Sequence, residues 1–168
     1  KKYKMNIVIF DMDGTLLDSA KDITLSVNAV RKANHSLDAL SGAFVIEAIN
    51  REHRNLPELF YGTPRYEKKD QNYFEEHYSE QCVQNVSLYE GVYVSIKELK
   101  SSRIHISVAT NAPRKFACRM LEKCGRYEYF DFILGADRVQ KPKPDKEMLE
   151  YILKHYGYKV GDRALMVG

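Results

Sequence analysis

From Ile104 to Val167 short apolar runs alternate with amphipathic stretches, and this alternation restricts the possible folds more than any other feature of the chain. Ile104–Ala109 reads as a strand. Pro113–Cys124 reads as a helix, with proline at its start and Gly125 as its stop. Tyr129–Leu134 reads as a second strand. Pro144–Tyr156 reads as a second helix, with Met148, Ile152 and Tyr156 along one face and Gly157 after it. Ala164–Val167 opens another strand. Upstream, Met5–Phe10 gives a further buried strand, and Val92, Ile96 and Leu99 mark one face of a helix. Strands separated by helices of this length pair in parallel, with the helices as crossovers. The expected fold class is therefore α/β, with a Rossmann-like parallel sheet.

Between about residues 20 and 88 the pattern changes. Ile23, Val27 and Val30 recur at helical spacing; Phe74, Tyr78 and Cys82 mark another stripe, and Ile46, Ile49 and Leu56 a weaker one. Ser19-Ala20-Lys21-Asp22 fits a capping box at the head of the first helix. Asn34-His35-Ser36, Ser41-Gly42 and Tyr61-Gly62-Thr63-Pro64 read as breaks. No β alternation appears. The expected organisation is a discontinuous α/β core, residues 1–17 and 89–168, with a small helical domain, 18–88, inserted after the first strand. At Gly168 the sequence stops at a strand-to-loop junction. A parallel sheet needs both faces covered, so the core is expected to be truncated there before its last elements.

The net charge of +3 comes from dispersed basic residues, which gives no argument for nucleic acid or a membrane surface. The apolar runs reach about four residues, against ~18 or more for a bilayer span. The basic start Lys1-Lys2-Tyr3-Lys4 precedes an apolar stretch too short for a signal-peptide core. Cys82, Cys118 and Cys124 match no zinc spacing and fit a reducing, cytoplasmic compartment. His35, His53, His77, His105 and His155 are scattered and read as structural or surface residues. The twelve tyrosines read as packing residues, and Arg114-Lys115 as a solvated helix face.

The chemistry is concentrated at Asp11-Met12-Asp13-Gly14-Thr15, directly after the first strand. Alternation points residues 11 and 13 the same way if the backbone stays extended. Two carboxylates so placed repel unless a cation or a shared proton offsets the charge. Hard oxygen ligands suit Mg²⁺. Gly14 permits a sharp turn, and Thr15 can bond back to fix it. The blander reading, a solvated Asp-rich turn, suits an isolated Asp-x-Asp. Four fixed positions arise by chance in a chain of this length on the order of one time in a thousand.

Asp11-Met12-Asp13-Gly14-Thr15-Leu16-Leu17-Asp18-Ser19 resembles the first motif of the haloacid dehalogenase superfamily of phosphotransferases. Val108-Ala109-Thr110-Asn111 resembles the second motif, and Lys141-Pro142-Lys143-Pro144 the third. Ala164-Leu165-Met166-Val167-Gly168 resembles the strand leading to the fourth, which in that family continues with an acidic residue, and the sequence given ends at Gly168. The surroundings, Tyr89-Glu90-Gly91-Val92 and Gly135-Ala136-Asp137-Arg138, are similar to those of phosphoglycolate phosphatases and their relatives, with Glu90 where proline is usual.

The resemblance implies a Mg²⁺-dependent phosphatase acting on a small phosphate monoester, with phosphoglycolate as a candidate. Asp11 is then the nucleophile and Asp13 the acid–base. Asp11 binds the metal through its carboxylate and Asp13 through its main-chain carbonyl. Thr110, Asn111 and Lys141 bind the substrate phosphate. The family pattern favours Lys141 because it precedes the first proline; Lys143 is the rival. Thr110-Asn111 also fits an ordinary helix cap, and Asp18 and Ser19 fit the head of the insertion. The inserted helices correspond to the family's cap over the site. The alternatives are a sugar phosphomutase and a non-catalytic binding protein on the same fold. A dehalogenase has no use for an acid at position 13. The expected partner is a small-molecule phosphate ester, and the expected state a monomer or homodimer.

Overall fold

The apolar run Ile7–Phe10 is buried on both faces of a strand, β1 (Asn6–Phe10), as its lack of alternation requires. The structure is a computed structural model that describes residues 4–51 and 54–168; Lys1-Lys2-Tyr3 of the basic start and His53 lie outside the described residues. The next elements are β2 (Leu17–Asp18), then helices α1 (Ala20–His35), α2 (Gly42–Asn50), α3 (Leu56–Tyr61) and α4 (Lys68–Gln81). β3 (Ser87–Leu88), α5 (Val92–Ser101), β4 (His105–Thr110), α6 (Arg114–Lys123), β5 (Phe132–Gly135), α7 (Glu147–Tyr156) and β6 (Arg163–Val167) complete the chain.

These elements form two compact units. One is built from the chain up to Asp18 and from Ser87 to Gly168; the other is Ser19–Val86. In the first, a parallel sheet has the order β5-β4-β1-β6, with Val8 opposite Ile106 on one side and Leu165 on the other. Ile7, Ile9, Ala109 and Leu134 pack with Met148 and Ile152 of α7. Of the other two helices, α5 packs on β4 and α6 on β5, with Ile96, Phe116, Ala117, Met120 and Leu121 buried. β6 is an edge strand, and Leu165 is 60% exposed. A two-residue antiparallel ladder pairs Leu17 with Leu88 and Asp18 with Ser87, so the chain leaves and re-enters this unit at neighbouring points.

The second unit gathers its helices around α1. Val27 and Val30 of α1, Val45 and Ala48 of α2, and Phe60 and Tyr61 of α3 share one core, with Phe74 of α4 against it. The breaks fall where the turn chemistry put them. Ser36 and Gly62 adopt left-handed conformations after α1 and α3, and Ser41 caps α2 by accepting the Phe44 N–H.

Three local expectations are corrected. Ser19 is the N-cap residue of α1 but makes no side-chain cap bond, and Asp22 belongs to no capping box. Its fully buried carboxylate instead accepts the Asn85 N–H at 2.9 Å, Asn85 Nδ2 at 2.7 Å and Gln81 Nε2 at 2.8 Å. The strand expected from Tyr129 starts at Phe132, because Tyr127–Tyr129 coils into a 3₁₀ turn. The Arg126 guanidinium lies 3.8 Å from the centre of the Tyr93 ring and 5.9 Å from that of Tyr129, which engages Tyr129 outside the sheet. The helix expected from Pro144 starts at Glu147, whose N–H is taken by Asp145 Oδ1 at 2.9 Å.

The described histidines are structural. His35 Nε2 stands 2.9 Å from the buried Asp70, His77 meets Ser26 at 2.8 Å, His105 lies against Tyr156, and His155 stacks on Phe132. Among the described residues no helix is long and apolar enough to cross a membrane.

Candidate active site

The carboxyl ends of β1, β4 and β6 lie side by side, and the residues that follow them form the candidate site. β1 is the point where the strand order reverses, with β4 on one side and β6 on the other, and open α/β sheets bind ligands there. Asp11 follows β1 and is held by its own N–H, which donates to the Val167 carbonyl at 2.8 Å. Met12 is fully buried, while Asp11 and Asp13 on either side are half-buried, so burial alternates through the motif as in an extended segment. Gly14 then turns the chain with φ +82°, a conformation that other residues enter at a cost. The N–H groups of Thr15, Leu16 and Leu17 all donate to the Met12 carbonyl. This tight turn fixes the backbone that carries the two aspartates.

Asp11 Oδ1 accepts the Lys143 ammonium at 2.5 Å, with side-chain exposures of 30% and 19%. The Thr15 hydroxyl is 3.5 Å from Oδ2, at the limit of a hydrogen bond. Oδ2 therefore keeps its capacity for another ligand. Gly168 lies alongside: a Cβ there would stand 3.1 Å from Asp11 Cβ, a tight approach that glycine leaves open. The Tyr89 hydroxyl is pushed above its ordinary pKa, first by burial and then by the negative charges of Asp18 and Asp13.

Thr110 ends β4 and is buried; its Oγ1 accepts the Ala112 N–H at 3.1 Å, which leaves the hydroxyl proton to donate elsewhere. Thr110 and Asn111 are not the N-cap of the next helix, a position taken by Pro113, and the Arg114 N–H is satisfied by Asp137 Oδ1 at 2.8 Å. The side-chain amide of Asn111 is committed to the main chain of Lys143, donating to its carbonyl at 2.8 Å and accepting its N–H at 2.9 Å.

Of the two lysines in Lys-Pro-Lys-Pro, the one on Asp11 is Lys143, not Lys141. Lys141 is exposed, and its N–H is tied to Glu147 Oε2 at 2.9 Å. The physical reason lies in the partners of the loop: Asn111 grips the backbone at 143, one residue past the first proline, and so aims that side chain inward. Proline spacing alone could not distinguish the two. The missed signal was Asn111 itself, a side chain able to pair with a backbone amide and so select one residue of the loop.

Mg²⁺ is tested against these donors by their chemistry. The carboxylates of Asp11 and Asp13 and the main-chain carbonyls of the turn are hard oxygens, and Asp11 Oδ2 carries only the long Thr15 contact, so the chemistry of these donors fits a hard divalent cation. Among the described residues no three His, Cys, Asp or Glu side chains group closely enough to hold a metal by themselves.

Residues 8–168 match the model of the haloacid dehalogenase-like hydrolase family. The chain is 28% identical over 175 residues to the phosphoglycolate phosphatase of Vibrio cholerae, covering 98% of this chain and 76% of that one. It is 28% identical over 172 residues to the N-acetylmuramic acid 6-phosphate phosphatase of Pseudomonas aeruginosa, covering 100% and 75%. A haloacid dehalogenase-like family hydrolase from Streptococcus pneumoniae superposes with a TM-score of 0.78 at 17% identity, over 98% of this chain and 75% of that one, which bears on the fold. The match across nearly the whole sequence, on a parallel sheet that presents Asp11 and Asp13 at the carboxyl end of its first strand, makes this chain a member of the haloacid dehalogenase-like hydrolase family.

Proposed function

We propose that this chain hydrolyses a small phosphate monoester, with Asp11 as nucleophile and Asp13 as general acid and base. One observation carries the reading: the Asp11 carboxylate, at the carboxyl end of β1, is paired with the ammonium of Lys143 from a loop 132 residues away. The ammonium orients that carboxylate at the end of the strand, and a nucleophile needs a fixed orientation. The same ammonium stands where a phosphoryl group on Asp11 would place its negative oxygens.

The reaction runs in two steps. Asp11 attacks phosphorus, the bond to the ester oxygen breaks, and Asp13 gives its proton to the departing alkoxide. Asp13 then takes a proton from water as that water attacks the aspartyl phosphate, releasing inorganic phosphate and restoring Asp11. Thr110 donates its hydroxyl proton to a phosphoryl oxygen, and Lys143 neutralises another, so positioning and electrostatics lower the barrier. A divalent cation would be held by the Asp11 carboxylate and the Asp13 main-chain carbonyl, and supplies further neutralisation of phosphoryl charge when bound. The inserted helices are proposed as the cap that selects the ester, and phosphoglycolate is the first substrate to try, given the relatives' names.

The test is phosphate release from phosphoglycolate, p-nitrophenyl phosphate and a hexose 1-phosphate, with and without Mg²⁺, by wild type and D11N. Metal-dependent release that D11N abolishes supports the reading. Full activity in D11N removes Asp11 as nucleophile. Conversion of the hexose 1-phosphate to its 6-phosphate isomer without phosphate release replaces hydrolysis by a mutase.

A further inference from the structure

The loop that carries Lys143 has almost no regular structure of its own. Residues 140–145 contain two prolines, Pro142 and Pro144, so they offer four backbone N–H groups. All four are satisfied, three of them by side chains. Glu147 takes two: Oε1 accepts the Gln140 N–H and Oε2 the Lys141 N–H, both at 2.9 Å. Asn111 Oδ1 takes that of Lys143 at 2.9 Å. The Asp145 N–H closes a turn onto the Pro142 carbonyl at 3.0 Å. Glu147 thus holds the root of the loop and Asn111 its middle.

The Asn111 contact is reciprocal. Its Nδ2 also donates to the Lys143 carbonyl at 2.8 Å, so one side chain pairs with both backbone groups of one residue, 32 positions away. Two antiparallel bonds to a single residue fix its orientation as well as its distance, as a strand partner does. With φ of both neighbouring prolines restrained, the direction of the Lys143 side chain follows from this grip. That side chain ends on Asp11 Oδ1 at 2.5 Å.

We propose that Asn111 is a positioning residue: it acts through Lys143, setting the ammonium on Asp11, and not by binding substrate. The proposal rests on the reading of Asp11 as nucleophile. Displacement of a catalytic group by about an ångström costs on the order of a hundredfold in rate. Replacing Asn111 therefore lowers activity by shifting Lys143 and has nothing left to shift once the ammonium is gone.

The experiment is a double-mutant cycle on kcat and KM for p-nitrophenyl phosphate hydrolysis, using N111A, K143A and the double variant. N111D serves beside N111A: it keeps the shape and can accept the Lys143 N–H but cannot donate to the carbonyl. N111A and N111D are each expected to lower kcat about tenfold to a hundredfold with little change in KM. The double variant is expected to be no slower than K143A alone. Amide hydrogen exchange in the metal-free proteins gives a second readout, in which protection at Lys143 falls in N111A while that of β1 and β4 is retained. Additive losses in the double variant, a rise in KM as the main effect of N111A, or unchanged protection at Lys143 would each overturn the proposal. Those results leave the nucleophile assignment standing, since that falls only if D11N stays active.

Discussion

Replacing Lys143 by methionine separates the two lysines of the Lys-Pro-Lys-Pro loop. Methionine keeps most of the length and apolar stem and deletes the charge. With Nζ 2.5 Å from Asp11 Oδ1, an oxygen of a phosphoryl group on that carboxylate comes within about 4 Å of the ammonium. At that separation a pair of unit charges attracts by about 4 kcal/mol at the effective dielectric of about 20 that suits partly buried sites. Deletion of one such preorganised donor in other hydrolytic enzymes costs about 2.7–4 kcal/mol, so two routes give a similar figure. K143M is expected to lose about 10²- to 10³-fold in kcat/KM, whereas K141M, whose side chain is exposed, should stay within about threefold of wild type. Steady-state phosphate release with a phosphate monoester and saturating Mg²⁺ measures both. Folding must be checked alongside, although a pair with side-chain exposures of 19% and 30% contributes little to net stability, on the order of 1 kcal/mol. A large loss in K141M with K143M nearly intact would refute the assignment and restore the lysine that the family pattern favours.

Gly135 is required for space. A Cβ there would run into the Arg114 nitrogen, Asp137 Oδ1 and the Ala112 carbonyl, so G135A should lose about 1–3 kcal/mol or more, read from the urea midpoint; a midpoint equal to wild type would show that the junction of β5 and α6 yields freely. The Asp162 carboxyl is held below its usual range by hydrogen bonds from the Met5 and Lys159 N–H groups. A depressed carboxylate pKa adds stability above the unfolded value of about 3.9, and that stability is lost as pH falls through the folded value. Wild type should therefore melt above D162N at neutral pH, the gap closing on acidification, and a gap that persists unchanged to pH 2 would contradict the linkage.

The parallel sheet was legible because its signal is periodic and long. Helices α6 and α7 carry apolar faces bounded by glycine, and the strands between them are apolar runs of the right length. The position of the aspartates was legible for a local reason, since a strand followed by Asp-x-Asp-Gly-Thr leaves few backbone choices. What failed was decided by the partners that particular side chains find. Ser19 and Asp22 have the spacing of a capping box, yet Asp22 is claimed by Gln81 and Asn85 of the same unit, about sixty residues on. Tyr129 has strand character, yet Arg126 engages its ring in a 3₁₀ turn. In each case a side chain with several bonding options was taken by a group that periodicity cannot reveal.

The two lysines illustrate the same limit at the site. Both flank a proline, both are basic, and no local propensity separates them. What separates them is which backbone amide finds a side-chain acceptor: Glu147 for Lys141 and Asn111 for Lys143. Glu147 begins α7 and accepts from the loop immediately before it, a short-range contact that any helix preceded by such a turn can make. Asn111 sits one residue past β4, and its contact reaches a loop 32 residues on that follows β5, the strand paired with β4. The choice of lysine is therefore a property of strand pairing and not of the loop: β4 runs beside β1 and β5, Asn111 follows β4, and the residue it grips is the one whose ammonium stands on Asp11.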